Sequence, residues 1–277
     1  MFKKCIQIKA KICSNLTQFD NQHCVARCYR NRVFLMKIYV ISLKNSLDRR
    51  ASIEEQMANY GLDFEFFDAI DGRINPPHPI FSNYDYAKRL WFTSGKMPSK
   101  GELGCYASHY LMWQKCAELG ESIIILEDDA KVLPCFSDYL NAIRVKTQEY
   151  GFLRLEQAYE RSRLFLKEKT DNFEIYFLTN NFGGARAYAL SPESAKKLIE
   201  NSQCWSMPVD NYIGSLYLHN MPSFIFHPSI VENPDYFETT FQNEKQPSAP
   251  LYRKPTRELY SLYRKVRMAL ANNVYKK

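Results

Sequence analysis

No run of about 18 apolar residues occurs in the chain, so no segment reads as a membrane-spanning helix. The longest uninterrupted apolar stretch near the middle, Ile123-Ile124-Ile125-Leu126, has the length of a strand. There is no Gly-x-Gly-x-x-Gly and no P-loop pattern, which argues against a dinucleotide dehydrogenase or an NTPase. Internal repeats and low-complexity tracts are missing as well. The first residues lack the apolar centre of a signal peptide and the eight cysteines are scattered, which points to reduced thiols in a cytosol. Cys5, Cys13, Cys24 and Cys28, with His23 among them, follow no compact zinc spacing.

What is present is ordinary globular material. The 277 residues are 45% hydrophobic and 24% charged, enough for a sizeable core in one large domain or two small ones, and far from the composition of a disordered chain. The net charge of +7 is unevenly spread: +6 over residues 1–35, +7 over 251–277 and −6 over 36–250. Basic ends attract anionic surfaces, whereas an acidic centre argues against a nucleic-acid groove, so no nucleic-acid partner is expected.

Residues 1–35 show no clear period and read as an extension or, preferably, an upstream start-site artefact, which the N-terminal mass of the native protein decides. From Met36 the pattern becomes strand (to Leu43), helix (Arg50 to about Asn59, stopped by Gly61) and strand (Phe64–Ala69), the opening of a βαβ unit. Residues 73–100 read as a long loop. A helix then runs from Ser99 or Lys100 to Leu119, stopped by Gly120, and the strand Ser122–Leu126 follows. Further elements are a helix at 136–146, strands at 174–179, 185–190 and 223–226, a helix begun by Ser191-Pro192-Glu193, and a short helix at Pro208-Val209-Asp210. The tail from about Thr256 to Leu270 is amphipathic and basic, either a helix packed on the domain or one lying on a membrane surface. The expected division is thus 1–35, a catalytic domain over 36–250, and a tail over 251–277.

The segment that carries chemistry is the aliphatic strand 123–126 running into Glu127-Asp128-Asp129. Three adjacent carboxylates repel one another unless a cation or hydrogen bonds offset the repulsion. Strand alternation points Glu127 and Asp129 one way and Asp128 the other, so Glu127 and Asp129 can share a hard cation such as Mn²⁺ or Mg²⁺. The plain structural alternative is a helix start decorated with acids.

Tyr39–Leu43 with Arg49-Arg50, Phe67–Gly72, Gly101–His109 and Leu126–Asp129, in that order, resemble the family 25 glycosyltransferases, the bacterial lipooligosaccharide galactosyl- and glucosyltransferases related to collagen galactosyltransferases. Gly184–Leu198 and Pro208-Val209-Asp210 fit the same pattern, so the resemblance covers about 36–232. It implies a GT-A-like, Rossmann-type α/β fold with a mixed, mainly parallel sheet flanked by helices. It also implies a UDP-hexose donor, UDP-galactose by preference, and inverting transfer to a lipid-linked oligosaccharide at the cytoplasmic face of the inner membrane.

The resemblance makes the acidic triplet the metal and donor motif, with Asp129 as direct ligand, Glu127 as second ligand or ribose contact, and Asp128 on the donor. His227 is the candidate third metal ligand by analogy with GT-A enzymes, against the reading of a plain strand-end histidine. Asp210 is the candidate base, against a simple helix-start acid. Ser42, Leu43, Arg49, Arg50, Asp71, Gly72, Glu102, Ser108 and His109 fall on the donor side. His109 is otherwise a satisfied core histidine, and Glu102 a cap of its own helix. Gly183-Gly184 permits close approach of the acceptor or forms a simple turn. The competing classes are a metal-dependent phosphoesterase or nuclease using the triplet, and a non-catalytic scaffold with the same fold.

Overall fold

The computed structural model describes residues 36–158, 162–233 and 249–276, and residues 1–35, including the N-terminal cysteines and His23, lie outside them. The four aliphatic residues Ile123–Leu126 explain the architecture. Their strand, β3 (Ile123–Glu127), is buried on both faces up to its last residue, so the four side chains before Glu127 must be apolar. Ile123 and Ile125 enter one hydrophobic cluster, and Ile124 and Leu126 enter the other, on the far side of the sheet.

Around β3 the chain builds β1 (Lys37–Ser42), α1 (Leu47–Asn59), β2 (Glu65–Asp68), α2 (Tyr86–Lys88) and α3 (Lys100–Leu119) before it, and β4 (Lys131–Val132), α4 (Phe136–Tyr150) and β5 (Phe152–Arg154) after it. Then follow β6 (Leu164–Lys169), β7 (Glu174–Leu178), β8 (Ala187–Leu190), α5 (Pro192–Glu200), α6 (Val209–Ile213), α7 (Leu216–His219), β9 (Phe224–His227), β10 (Val231–Glu232) and α8 (Lys254–Asn273). The main sheet has the order β2-β1-β3-β8-β5-β9-β7-β6, and β4 and β10 form a separate ribbon. Pairing directions leave six strands running one way and only β7 and β8 the other, the mixed, mainly parallel α/β sheet that was expected.

From β1 the chain steps outward to β2, then returns past β1 to lay down β3. This reversal puts a crevice at the carboxyl ends of β1 and β3, where open α/β sheets bind ligands. Aromatic residues of α3 and its neighbours, Tyr106, Trp113, Trp205 and Tyr188, fill one side of the sheet. Ile53 and Met57 of α1 with Phe136 and Ile143 of α4 fill the other.

The helix signals in the sequence act as their chemistry dictates. Ser99 accepts the Glu102 N–H at the start of α3, and Gly120 ends that helix at φ 66°. Ser191 caps α5 through the Ser194 N–H, with Pro192 in the first turn. Two expectations need correction. The 73–100 segment is not a plain loop but holds a 3₁₀ turn (Pro79–Asn83), α2 and a π-helical turn (Arg89–Thr93). Residues 152–182, unplaced from sequence apart from 174–179, contain β5 and β6 as well as β7.

Two motif glycines are explained by one contact. A Cβ on Gly72 would stand 1.8 Å from the Lys100 carbonyl oxygen, and one on Gly104 would stand 2.3 Å from that of Ile70. The 70–72 loop thus lies directly on the first turns of α3. Gly104→Ala is expected to cost about 1–3 kcal/mol by overpacking and to lower the Tm measurably, whereas Gly120→Asn at the helix end costs little. Thermal unfolding of both variants checks this.

Candidate active site

The crevice opens into a cavity of about 910 Å³, a size that suits a nucleotide-sized ligand. Its wall includes Ser42, Leu43, Arg49, Asp71, Gly72, Glu102, Ser108, His109, Glu127, Asp128, Asp129, Gly183 and Asp210. Arg50, Gly184 and His227 do not belong to that lining.

Each carboxylate of the triplet is held by a different element. Glu127 ends β3 facing α3, and its Oε1 meets His109 Nε2 at 3.1 Å. His109 is fully buried, with Nδ1 2.9 Å from the Tyr188 hydroxyl, which also accepts the Trp113 indole N–H. Hydrogen-bond accounting then assigns the imidazole proton to Nε2, donated to Glu127, with Tyr188 donating to Nδ1. Burial pushes the Glu127 carboxyl up, but the His109 contact and the Arg186 charge outweigh it and hold the group below its usual range. Asp128 turns to the other side of β3, accepting the Ser42 hydroxyl at 2.7 Å and an Arg49 N–H at 3.1 Å. Asp129 accepts Arg186 Nε at 3.0 Å. Burial and the neighbouring Glu127 charge nevertheless push the Asp129 carboxyl up.

These contacts use Glu127 Oε1 and Asp129 Oδ1. The described residues give no hydrogen bond to Glu127 Oε2 or Asp129 Oδ2. Two carboxylate oxygens on one cavity wall, next to a carboxyl raised by its neighbour's charge, are a donor set that fits a hard divalent cation.

Asp210 stands at the start of α6 on the same cavity wall, held by backbone rather than by a guanidinium. Its Oδ1 accepts the Asn211 N–H at 2.8 Å, and the Gly183 N–H also favours its charged form. Burial and the Glu127 charge outweigh both and raise the carboxyl. Gly183 takes φ 73°, the left-handed turn that lets its backbone reach this spot.

Several of the expected donor-side residues are tied into the protein by bonds of their own, and of these Asp71, Glu102 and Ser108 also line the cavity. Arg50 donates to the Ser42 and Leu43 carbonyls and to Asp68 at 2.7 Å, tying the ends of β1 and β2 together. Ser108 accepts the Ile70 N–H at 2.8 Å and donates to the Gly104 carbonyl, which seats the 70–72 loop on α3. Asp71 is occupied by its own neighbour Arg73 through two guanidinium bonds. Glu102 does not cap its helix. It pairs with the buried Arg89 at 2.7 Å and accepts the Tyr84 hydroxyl. A Cβ on Gly184 would meet Arg154 and Asn181 at 2.4 Å, so this glycine makes room for protein, not for an acceptor.

His227 is the clearest correction. It stands exposed at the end of β9, opposite Glu174 of β7. β9 lies three places from β3 in the sheet, on the order of 14 Å away, beyond the reach of a shared ion.

Sequence reasoning missed Arg186. It bridges Asp129 and, at 3.1 Å, the buried Glu156, which lies beside the buried Arg154. The signal for it exists only once β3 and β8 are known to pair antiparallel, because Leu126 opposite Ala187 sets Glu127 opposite Arg186.

The raised Asp210 carboxyl has a consequence for stability. A carboxyl whose pKa is higher folded than unfolded destabilises the fold in its charged state, and the cost disappears as pH falls through the folded pKa. Asp210→Asn is therefore expected to raise the Tm at neutral pH and to lose that gain in acid. Thermal unfolding across pH checks it.

A model of glycosyltransferase family 25, described as an LPS biosynthesis protein, matches residues 35–213. A glycosyltransferase 25 family member from Aedes aegypti is 28% identical over 74% of this chain and 34% of its own length, so the chain spans about a third of that relative. A putative glycosyltransferase from Haemophilus influenzae is 28% identical over 74% of both chains. The lipooligosaccharide biosynthesis protein lic2B of the same species is 29% identical over 58% of this chain and 53% of its own. The family match spans β1 to α6, the part of the GT-A-like α/β fold that builds the cavity, and the chain belongs to glycosyltransferase family 25.

Proposed function

We propose that the chain is an inverting glycosyltransferase that moves a hexose from a UDP-sugar, by preference UDP-galactose, to the glycan of a lipooligosaccharide or lipopolysaccharide core. The observation that carries this is the cavity at the β1/β3 crevice, where the acidic triplet and Asp210 share one wall. Family membership and the relatives named above support the reaction class.

In this reading the acceptor hydroxyl oxygen attacks the anomeric carbon, and the bond from that carbon to the diphosphate breaks on the opposite face. The hydroxyl proton passes to the Asp210 carboxylate, whose raised pKa suits a base. Negative charge grows on the leaving diphosphate, and Arg49 and Arg186, two of the three arginines of the cavity wall, oppose it, while the third, Arg73, is paired with Asp71. Glu127 and Asp129 would hold Mn²⁺ or Mg²⁺, which would act as a Lewis acid on the diphosphate. The His109 contact fixes the Glu127 carboxylate, so that no rotation is required at the moment of binding. The acceptor is lipid-linked in this proposal, and the basic tail meets an anionic membrane surface.

Calorimetry with UDP tests the donor and metal together. UDP is expected to bind with Mn²⁺ present, and binding is expected to vanish with EDTA and in Asp129→Ala. Absence of UDP binding in every condition would overturn the UDP-sugar reading and return the triplet to phosphoester chemistry.

A separate expectation concerns the base. Asp210→Asn should lower kcat by about 10²–10⁴-fold and remove the acid limb of the pH–rate profile, which in the wild type lies above the usual aspartate range. UDP binding should be unchanged in this variant. A kcat close to wild type would exclude Asp210 as the base.

A further inference from the structure

Resting on the tail reading above, we propose that the π-helical turn 89–93 is a second membrane anchor, placing Trp91 and Phe92 in an anionic bilayer beside the cavity mouth. The argument starts from α8. Leu259, Leu262, Val266 and Leu270 recur at helical spacing on its outward face and are all exposed. On the inward face, Met268 and Ala271 pack on the core. A helix with one face on the protein and a bare aliphatic stripe on the other is built to lie on a second surface.

The turn is joined to this helix by several contacts. Thr256 Oγ1 donates to the Trp91 carbonyl at 2.6 Å, and Arg253 donates to the Gly95 carbonyl at 3.2 Å. The Phe92 ring lies 5.8 Å from that of Tyr260, and the Trp91 ring 5.8 Å from that of Tyr252. From below, the turn is fixed to the active-site wall. Arg89 is buried and donates to the Lys96 carbonyl and the Glu102 carboxylate, while Thr93 donates to the Ser206 carbonyl. Held on both sides, the turn still leaves Trp91 41% and Phe92 43% exposed. Aromatic rings with one edge on protein and one in solvent, next to arginines, suit the headgroup boundary of a bilayer.

Charge selects the occupant. The tail carries net +7 and the body between residues 36 and 250 carries −6. Two copies meeting stripe to stripe would bring two such tails together, whereas an anionic bilayer attracts the tail and repels the body. That polarity fixes orientation as well as affinity. Lys96, Ser99 and Glu102 belong to the cavity lining, so the anchored segment runs directly into the cavity rim. A lipid-linked sugar rising from the bilayer would enter past it.

The chain contains its own probe. Of its three tryptophans, Trp113 and Trp205 are no more than 1% exposed. The experiment mixes the full chain with phosphatidylglycerol-containing vesicles carrying acyl-brominated lipid, and with neutral phosphatidylcholine vesicles. It measures cosedimentation and tryptophan emission. Expected are cosedimentation, a blue shift and bromine quenching with the anionic vesicles only. Trp91→Phe should keep cosedimentation and lose the quenching. Leu259→Ser with Leu262→Ser and Val266→Ser should weaken binding at least tenfold. Cosedimentation without quenching, or quenching that survives Trp91→Phe, overturns the second anchor and leaves the tail reading standing. Absence of cosedimentation overturns both, as does a dimer held by the leucine stripe without vesicle binding.

Discussion

The double-sided burial of β3 is the constraint on which the rest depends. A strand with apolar side chains on both faces must lie in the middle of its sheet, and its carboxyl end must then emerge between β1 and β8. The acids that follow are forced into a narrow crevice where their mutual repulsion is largest. The fold answers with one partner from each direction: His109 from α3, Ser42 and Arg49 from the β1–α1 side, and Arg186 from β8. None of these partners removes a negative charge from the wall. Arg49 and Arg186 each compensate one, Arg186 also serves Glu156, and Asp210 receives only backbone N–H groups. The site is therefore pre-ordered yet still short of positive charge.

How much of this was legible in the sequence follows from how local each signal is. The two-faced strand, the Ser99 and Ser191 caps and the stop at Gly120 depend on a few consecutive residues, and the structure follows them. The alternation rule placed Glu127 and Asp128 on opposite sides of β3 correctly, because Glu127 still belongs to the strand. Asp128 and Asp129 both lie in the turn beyond it, where strand period no longer strictly applies, and the direction of Asp129 is fixed by Arg186. Arg186 itself was hidden because its role depends on strand pairing across some 60 residues. β5 and β6 were missed for different reasons. One is three residues long, and the other is an edge strand with charges at 167, 168 and 169. His227 shows the opposite error, in which a suitable residue type was carried over by analogy to a strand that the topology puts elsewhere.

Several motif residues are also built into the framework around the cavity. Gly72, Gly104 and Ser108 belong to two of the segments that carry the family resemblance, and all three serve one packing contact between a loop and a helix. Arg50 belongs to the same pattern and ties two strand ends. A shifted 70–72 loop would move the cavity wall, which Gly72, Gly104 and Ser108 themselves line.

Subtracting those struts leaves a short set with unspent capacity. Glu127 and Asp129 each retain an oxygen that no described residue bonds, and Asp210 is met by backbone N–H groups alone. All three belong to one cavity wall, and burial works against the charge of each. An arrangement of this kind is costly to maintain for stability alone, since neutral residues of similar size would remove the repulsion. Its persistence alongside fully satisfied neighbours such as His109, Tyr188 and Trp113 separates the two populations of polar groups in this fold. One population completes its hydrogen bonds inside the protein. The other is held rigidly with carboxylate oxygens left to bond, which is what the proposed metal and base roles require of it.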